Sequence, residues 1–167
     1  MALTSRVEWK IDSTLTSALD LVTVTSPLAF TDQMDLTTGT GAGQADMQWS
    51  DERTLSASAN EDLDLAGSLT GPLGTTLTFA RIKAVYFKAD AGNTNAVQVT
   101  RPASNGAPLF MAAGDGISLA AGERWAWWSP TAAGKVVTAT TGDLINVANS
   151  SSGTGVTYRV VVIGASA

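Results

Sequence analysis

Apolar and polar residues alternate along most of this chain, in short runs that suit extended strands. The longest run is 77–88, and the residues that follow it at 96–100 predict the returning strand of a hairpin. One face of the long run carries Leu77, Phe79, Val85 and Phe87, and the other carries Ile82, Ala84 and Tyr86. Because both faces are apolar in its second half, we expect a strand covered on both sides, around which the fold is organised.

The runs span roughly four to eight residues, and turn signals recur about every 8 to 14 residues. No stretch has a convincing helical period. This rhythm predicts an all-β protein, an antiparallel β-sandwich of jelly-roll-like topology with an extended N-terminal arm. The last run, 156–163, places Val160 and Val162 on one face and Val161 and Ile163 on the other, which is typical of a central strand.

The N-terminal part alternates less regularly. Residues 7–11 predict a half-buried strand, 12–17 a turn, and 19–24 a second strand that ends before Pro27.

A glycine-rich, uncharged stretch at 37–43 predicts a flexible linker. We therefore divide the chain into an N-terminal arm at 1–36, a linker at 37–44 and a β-sandwich domain at 45–167. The arm is too small to enclose a core of its own. It is expected to dock on the rest of the chain or on another chain, with Val7, Trp9 and Ile11 forming a strand that augments the edge of a neighbour's sheet.

Composition narrows the classes of partner. The chain of 167 residues has 44% apolar and only 15% charged residues, with a net charge of −5. An acidic protein does not attract phosphate backbones, so no nucleic-acid partner is expected. No apolar run is long enough to span a bilayer, so no membrane partner is expected either.

The sequence contains neither cysteine nor histidine. Thiolate chemistry, imidazole bases and the usual transition-metal ligands are therefore missing. We predict a protein that is not an enzyme and has no cofactor and no metal site.

Glu61, Asp62 and Asp64 form the densest acidic cluster. A calcium site or a pair of glycosidase carboxylates would use such residues. The alternative is the solvated face of an amphipathic strand whose other face carries Leu63 and Leu65, and the sequence around the cluster supplies no further ligands.

Trp125, Trp127 and Trp128 form the main aromatic cluster, with the first two expected on one face of a strand and the third on the other. Exposed rings would provide a carbohydrate-binding platform or anchor a protein interface. Packing in the core is the alternative for at least two of them. We predict partner binding by these three residues together with Val7, Trp9 and Ile11.

The low charge, the many Thr, Ser, Ala and Gly residues and several passages of the chain resemble structural proteins of tailed-bacteriophage virions. The resemblance covers about residues 45–167, through the passages 50–55, 61–67, 78–84, 141–149 and 162–165. The group that it most resembles is the capsid decoration (cement) and head-fibre proteins.

The resemblance implies a role and no active site. The implied protein stabilises the capsid by binding the major capsid protein lattice, is a homotrimer, and lies on the virion surface after synthesis in the host bacterial cytoplasm. The alternatives are a phage tail, baseplate or adhesion protein, a carbohydrate-binding β-sandwich module, and a hydrolase that uses carboxylates alone.

Overall fold

The computed structural model describes residues 2–167, and this part of the chain contains no helix. The strands are β1 (Ser5–Ala18), β2 (Thr23–Thr38), β3 (Gln44–Ala45), β4 (Met47–Leu55), β5 (Asn60–Asp64), β6 (Arg81–Ala89), β7 (Val97–Thr100), β8 (Gly116–Leu119), β9 (Arg124–Trp128), β10 (Lys135–Val136), β11 (Leu144–Asn149) and β12 (Val156–Ala165). The prediction of an all-β fold is confirmed.

Two antiparallel sheets form the body of the molecule. The first has five strands in the order β10-β6-β12-β4, with β9 also paired to β6, and the second has four in the order β5-β11-β7-β8. Their inner faces share one hydrophobic core, to which the first sheet contributes Val85, Phe87, Tyr158, Val160 and Val162, and the second contributes Leu63, Val97, Val99, Ile145 and Val147. This arrangement is consistent with a β-sandwich, while the jelly-roll topology stays a prediction.

The organising strand is β6, which has β12 on one side and β9 and β10 on the other. It begins at Arg81, so the predicted residues 77–80 lie outside it. Its neighbour β12 is equally central, between β6 and β4, as the sequence predicted. Val160 and Val162 are buried in the core, whereas Val161 lies on the outer face.

A β-bulge interrupts the pairing of these two strands. Ile163 lies opposite Ala84 and Gly164 opposite Ile82, so Lys83 is an extra residue on β6. The extra residue reverses the alternation, and Ile82 packs in the main core instead of sharing a face with Ala84. The predicted face of Ile82 was wrong because a strict period of two cannot pass through a bulge.

The predicted hairpin between the organising strand and 96–100 does not form. β7 pairs with β8 and β11 in the second sheet, so the chain crosses from one layer to the other after β6. Turn residues at 91–95 indicate a reversal, but they do not determine which sheet receives the next strand.

The N-terminal part is a long hairpin, in which β1 and β2 pair from Ser5↔Leu36 to Ala18↔Thr23. We call it the ribbon. The turn lies at 19–22, where the N–H of Leu19 donates to the carbonyl oxygen of Val22 at 2.9 Å. The turn predicted at 12–17 is wrong, because its Ser and Thr residues occupy paired strand positions, for which threonine is well suited.

In the glycine-rich stretch predicted as a flexible linker, residues 37–38 end β2 and residues 39–43 form a hydrogen-bonded turn. The N–H of Gly43 donates to the carbonyl oxygen of Pro130 at 2.8 Å, and that of Gly41 donates to Gln44 Oε1 at 2.9 Å. β3 also pairs in parallel with the end of β2. The ribbon is therefore joined firmly to the body.

Candidate interaction site

The ribbon has one apolar and one polar face. Residues directly opposite each other on paired strands share a face, so the register assigns every side chain. We define the apolar face as Val7, Trp9, Ile11 and Leu15 of β1 with Val24, Leu28, Phe30 and Met34 of β2. The polar face carries Arg6, Glu8, Lys10 and Asp12 of β1 with Thr25, Thr31, Gln33 and Asp35 of β2. Such a pattern is typical of a sheet that is covered on one side only.

Most of the apolar face is nevertheless exposed to solvent. Leu15 is 75% exposed and Trp9 is 51% exposed, and Ile11, Val24, Leu28 and Phe30 are also open. Isolated apolar residues are common on protein surfaces, but a contiguous row of them marks an interaction site. This face is the main candidate site of the molecule.

The tip of the ribbon is apolar as well. Leu19, Leu21 and Val22 surround a single acidic residue, Asp20, and Leu21 is 99% exposed. These side chains lie at the end of the ribbon, where the chain reverses. They form a second apolar surface, which we call the tip.

The base of the apolar face packs on the body, and Trp9, just beyond it, borders a cleft against the outer face of the five-stranded sheet. Met34 and Leu36 are buried in a small cluster with Ala45 and Ala84, and Val7 lies against this cluster. Met34, Leu36 and Val7 of the predicted arm therefore belong to the packing of the body. Shortening the arm without damage requires these base residues to be kept.

The sequence predicted Val7, Trp9 and Ile11 as a strand that augments a neighbour's sheet. That strand is already paired with β2 of its own chain along one edge, while its other edge is free. Trp9 and Ile11 are exposed and Val7 is half-buried. The partner-binding role of these residues stays a prediction, and the structure adds β2 and the tip to the same surface.

Lys83 holds the base of the ribbon to the body. Its side chain is fully buried, and its ammonium group donates to the carbonyl oxygens of Gly41 at 3.2 Å, Thr131 at 2.5 Å and Ala132 at 2.6 Å. All three ammonium donors are thereby used. Burial lowers the pKa of Lys83, and the nearby charge of Arg81 lowers it further. The role of this group is structural, because its donors are saturated by backbone.

The tryptophan cluster alternates as predicted. Trp125 and Trp127 of β9 pair with Phe87 and Val85 and face inward, while Trp128 pairs with Ala84 and lies on the outer face. Ring centroids of Trp125 and Phe110 are 5.4 Å apart, and the Lys135 ammonium lies 5.3 Å from the Trp127 ring centroid.

Trp128 packs against the cluster at the base of the ribbon. All three rings are half-buried. Trp127 and Trp128 line, with Trp9 and Tyr86, an apolar cleft of about 280 Å³ between the ribbon and the five-stranded sheet, and the predicted role of the tryptophans in partner binding stays a prediction.

The acidic cluster is used in structural hydrogen bonds. Asp62 accepts from the amide of Asn146 at 2.8 Å, and Asp64 accepts from the N–H of Ala66 at 2.9 Å. Glu61 accepts from the Tyr158 hydroxyl at 2.9 Å and also bonds Arg53. Within residues 2–167 no group of three or more acidic side chains is arranged to hold a metal ion. This cluster provides neither a calcium site nor a free pair of carboxylates.

Tyr158 makes folding sensitive to alkaline pH. Its ring is fully buried, and burial, together with the charge of Glu61, raises the pKa of the Tyr158 hydroxyl well above its usual value. Because the folded pKa is raised, the stabilisation is present below about pH 10 and is lost as the pH rises above that value, where the unfolded tyrosine ionises.

We expect Tyr158→Phe to lower the free energy of unfolding by about 1 kcal/mol at pH 7, because the hydrogen bond to Glu61 is lost. Above pH 10 the variant should lose stability less steeply than the parent, by up to roughly 1.4 kcal/mol per pH unit. Urea unfolding between pH 7 and pH 11.5 measures both effects. Tyr86→Phe, on the outer face, is the matched control. Equal pH profiles for the parent and the Tyr158→Phe variant would contradict the prediction.

A cleft of about 430 Å³ lies between residues 2–3, the start of β4 and the loop at 72–77. Its one charged lining residue is Asp46, whose carboxylate accepts from the N–H and hydroxyl of Ser166 at 2.8 and 2.6 Å. Among the described residues that line the cleft, the one charged group is therefore already hydrogen-bonded within the fold.

Comparison with models of protein families, with curated proteins and with solved structures gives no match for this chain. In the part of the chain that the structure describes, no helix is long and apolar enough to cross a membrane. A proposal for function therefore depends on the geometry of the ribbon and on the resemblance of residues 45–167 to structural proteins of phage virions.

Sequence reasoning missed half of the candidate site. Val24, Leu28, Phe30 and Met34 recur at a period of two and were a detectable signal. Pro27 obscured it, because proline usually ends a strand. Here Pro27 lies in the part of β2 that pairs with β1 alone, so one edge of the strand is unpaired there and a missing N–H is tolerated.

Proposed function

We propose that this chain is a non-enzymatic virion protein that decorates a bacteriophage capsid, and that the tip of the ribbon contacts the major capsid protein. The observation that carries the proposal is a ribbon that extends from the β-sandwich and ends in exposed Leu19, Leu21 and Val22. The resemblance of residues 45–167 to phage virion proteins is the reason that we propose the capsid as the partner.

The chemistry of the tip supports a protein partner. It offers aliphatic side chains and one carboxylate, a composition suited to an apolar groove between protein subunits and not to a phosphate backbone. Burying two exposed leucines contributes on the order of 3 kcal/mol, and a lattice multiplies a weak contact through many copies. Decoration of this kind would add buried surface between capsomers and resist the pressure of packaged DNA.

The ribbon can be shortened without disturbing its base. In the variant, Asn-Gly replaces residues 9–32, so that a two-residue turn joins Glu8 to Gln33, which are paired in the native register. We expect this protein to melt within a few degrees of the parent and to lose binding to capsids of the phage that encodes it. Co-sedimentation with capsids assembled from that phage's major capsid protein measures binding.

A finer test changes the tip alone. Leu19→Ser with Leu21→Ser is expected to weaken capsid binding at least about 100-fold, given the apolar area removed. Met111→Ser is the matched control, because Met111 is 95% exposed on a loop of the body. Full binding by the tip variant, or a parent protein found only in the tail fraction of disrupted virions, would contradict the proposal.

A further inference from the structure

The apolar face of the ribbon is a sheet face without a second layer. A two-stranded hairpin is marginally stable in water unless further strands or a packed face support it. Only the base of this hairpin packs on the body, through Met34, Leu36 and Val7. Trp9 borders a cleft against the body, and beyond it the apolar side chains are exposed along the rest of both strands. Another molecule must cover this face if the ribbon is to be well ordered.

The exposed area is sufficient for a stable contact. Trp9, Ile11, Leu15, Val24, Leu28 and Phe30 are each between 41% and 75% exposed. Together they present on the order of 700 Å² of surface, close to the roughly 800 Å² per partner that a standard interface buries. One further molecule that covers the face would therefore bury an area close to that of a standard interface.

The pattern of large and small residues makes the face complementary to itself. Most rows across the ribbon pair a large side chain with a small one: Ser13 lies opposite Leu28, Leu15 opposite Ser26, and Ser17 opposite Val24. From Ser13 to Ser17 the large side chains thus alternate between the two strands and leave gaps at the serines, whereas Ile11 and Phe30 lie directly opposite each other. An identical face supplies the same ridges and gaps, and layers pack well when large residues meet small ones.

The base shows that sheet surfaces of this chain accept the ribbon. Val7 and Met34 of the apolar face pack in one cluster with Ala84, Trp128 and Ile163 on the outer face of the five-stranded sheet. The exposed part of the apolar face continues directly from that packed part. Asp32 is the one charged residue in the rows from Ser5 to Ala18 on this face, so little desolvation opposes contact with a like surface.

We propose that the apolar faces of ribbons from separate copies of this chain pack against each other and hold the copies together. The contact uses the face of the ribbon and leaves the tip free. It does not rest on capsid binding, and it is formed by the purified protein alone. Sedimentation gives the number of copies, and the trimer expected from the resemblance is one of the assemblies that the contact permits.

The first test is the mass in solution. Sedimentation equilibrium of the purified full chain at about 1–100 µM is expected to give a multiple of 17.1 kDa. Ile11→Thr with Leu28→Thr removes apolar bulk but keeps a strand-forming residue at both positions. We expect this double variant to raise the dissociation constant at least about 100-fold.

The matched control is Lys10→Thr with Ala29→Thr, which changes neighbouring positions on the polar face and should leave the mass unchanged. A parent that stays monomeric at 100 µM would overturn the proposal. So would an Ile11→Thr, Leu28→Thr variant that associates as strongly as the parent.

The second test locates the contact. The chain has no cysteine, so an introduced thiol is unique. Ser13→Cys, at a gap of the apolar face, is expected to give covalently linked copies with a short bis-maleimide reagent. Thr14→Cys, on the polar face, should give several-fold fewer.

Equal cross-linking at the two positions would overturn the packing of apolar faces, even if the protein were oligomeric. Loss of capsid binding in the tip variant with the mass in solution unchanged would support the proposed function separately. The two proposals can therefore fail independently.

Discussion

Gly164→Ala is expected to destabilise the protein by about 3 kcal/mol or more, which lowers the melting temperature by roughly 6–12 °C. A Cβ atom at this position would lie 2.1 Å from the carbonyl oxygen of Arg81 and 2.7 Å from the Phe79 ring. The nearer of these atoms belongs to the backbone of β6 and cannot rotate away. The clash falls at the bulge between the two central strands, so relieving it would separate β6 from β12.

Thermal unfolding followed by circular dichroism measures this effect. Gly67→Ala is the control, since a Cβ there would approach no atom closer than 3.8 Å, the distance to Asp64 Oδ2. The control should melt within about 2 °C of the parent, as surface substitutions usually do. A Gly164→Ala variant that matched the control would show that the two strands do not approach as closely as described.

Lys83→Met is expected to cost about 2 kcal/mol and to loosen the base of the ribbon. Methionine keeps the apolar stem of the side chain but removes the three hydrogen bonds to Gly41, Thr131 and Ala132. Each bond to a charged group contributes roughly 1.5–3 kcal/mol, and the desolvation of the buried ammonium group offsets part of the total. Water can satisfy some of the freed carbonyl oxygens, because Thr131 and Ala132 are exposed.

The rate of local hydrogen exchange distinguishes the loss of the Lys83 hydrogen bonds from a simple loss of packing. Hydrogen exchange should accelerate at the N–H groups of Gly41, which is bonded to Gln44, and Gly43, which is bonded to Pro130, because Lys83 holds the backbone beside both bonds. Lys88→Met, on the same strand but on its outer face, is the control and should change neither exchange nor melting. Unchanged exchange in the Lys83→Met variant would refute the role given to this side chain.

The fold class could be predicted because strand periodicity is a local property. The alternation in 156–163 identified β12 and its central place, since a strand with apolar residues on both faces must be covered on both sides. The bulge at Lys83 could not be predicted, because it depends on the close approach of β12 at Gly164. The crossing from β6 to β7 between sheets depends on long-range packing in the same way.

The candidate site was predicted in part. Val7, Trp9 and Ile11 were identified by their alternation, and the pattern indicated correctly that they share one face. Their partner strand was predicted only at its start, where the predicted strand 19–24 overlaps β2, because Pro27 was interpreted as a stop. The ordered stretch at 37–43 was interpreted as a linker, because composition cannot show that a buried lysine on a distant strand bonds its backbone.

Both strands of the ribbon return to the body, β1 beside Leu36 at its start and β2 through the turn that Lys83 holds. The ribbon is held at its base by the packing of Met34 and Leu36 and by the hydrogen bonds of Lys83, so exchanging it with its counterpart on another copy would break these contacts, although the β1–β2 pairs would survive. We expect copies joined by their ribbons, as proposed, to stack with each base in place. In such an assembly each copy can be added or removed singly, so that errors of placement are corrected by simple dissociation.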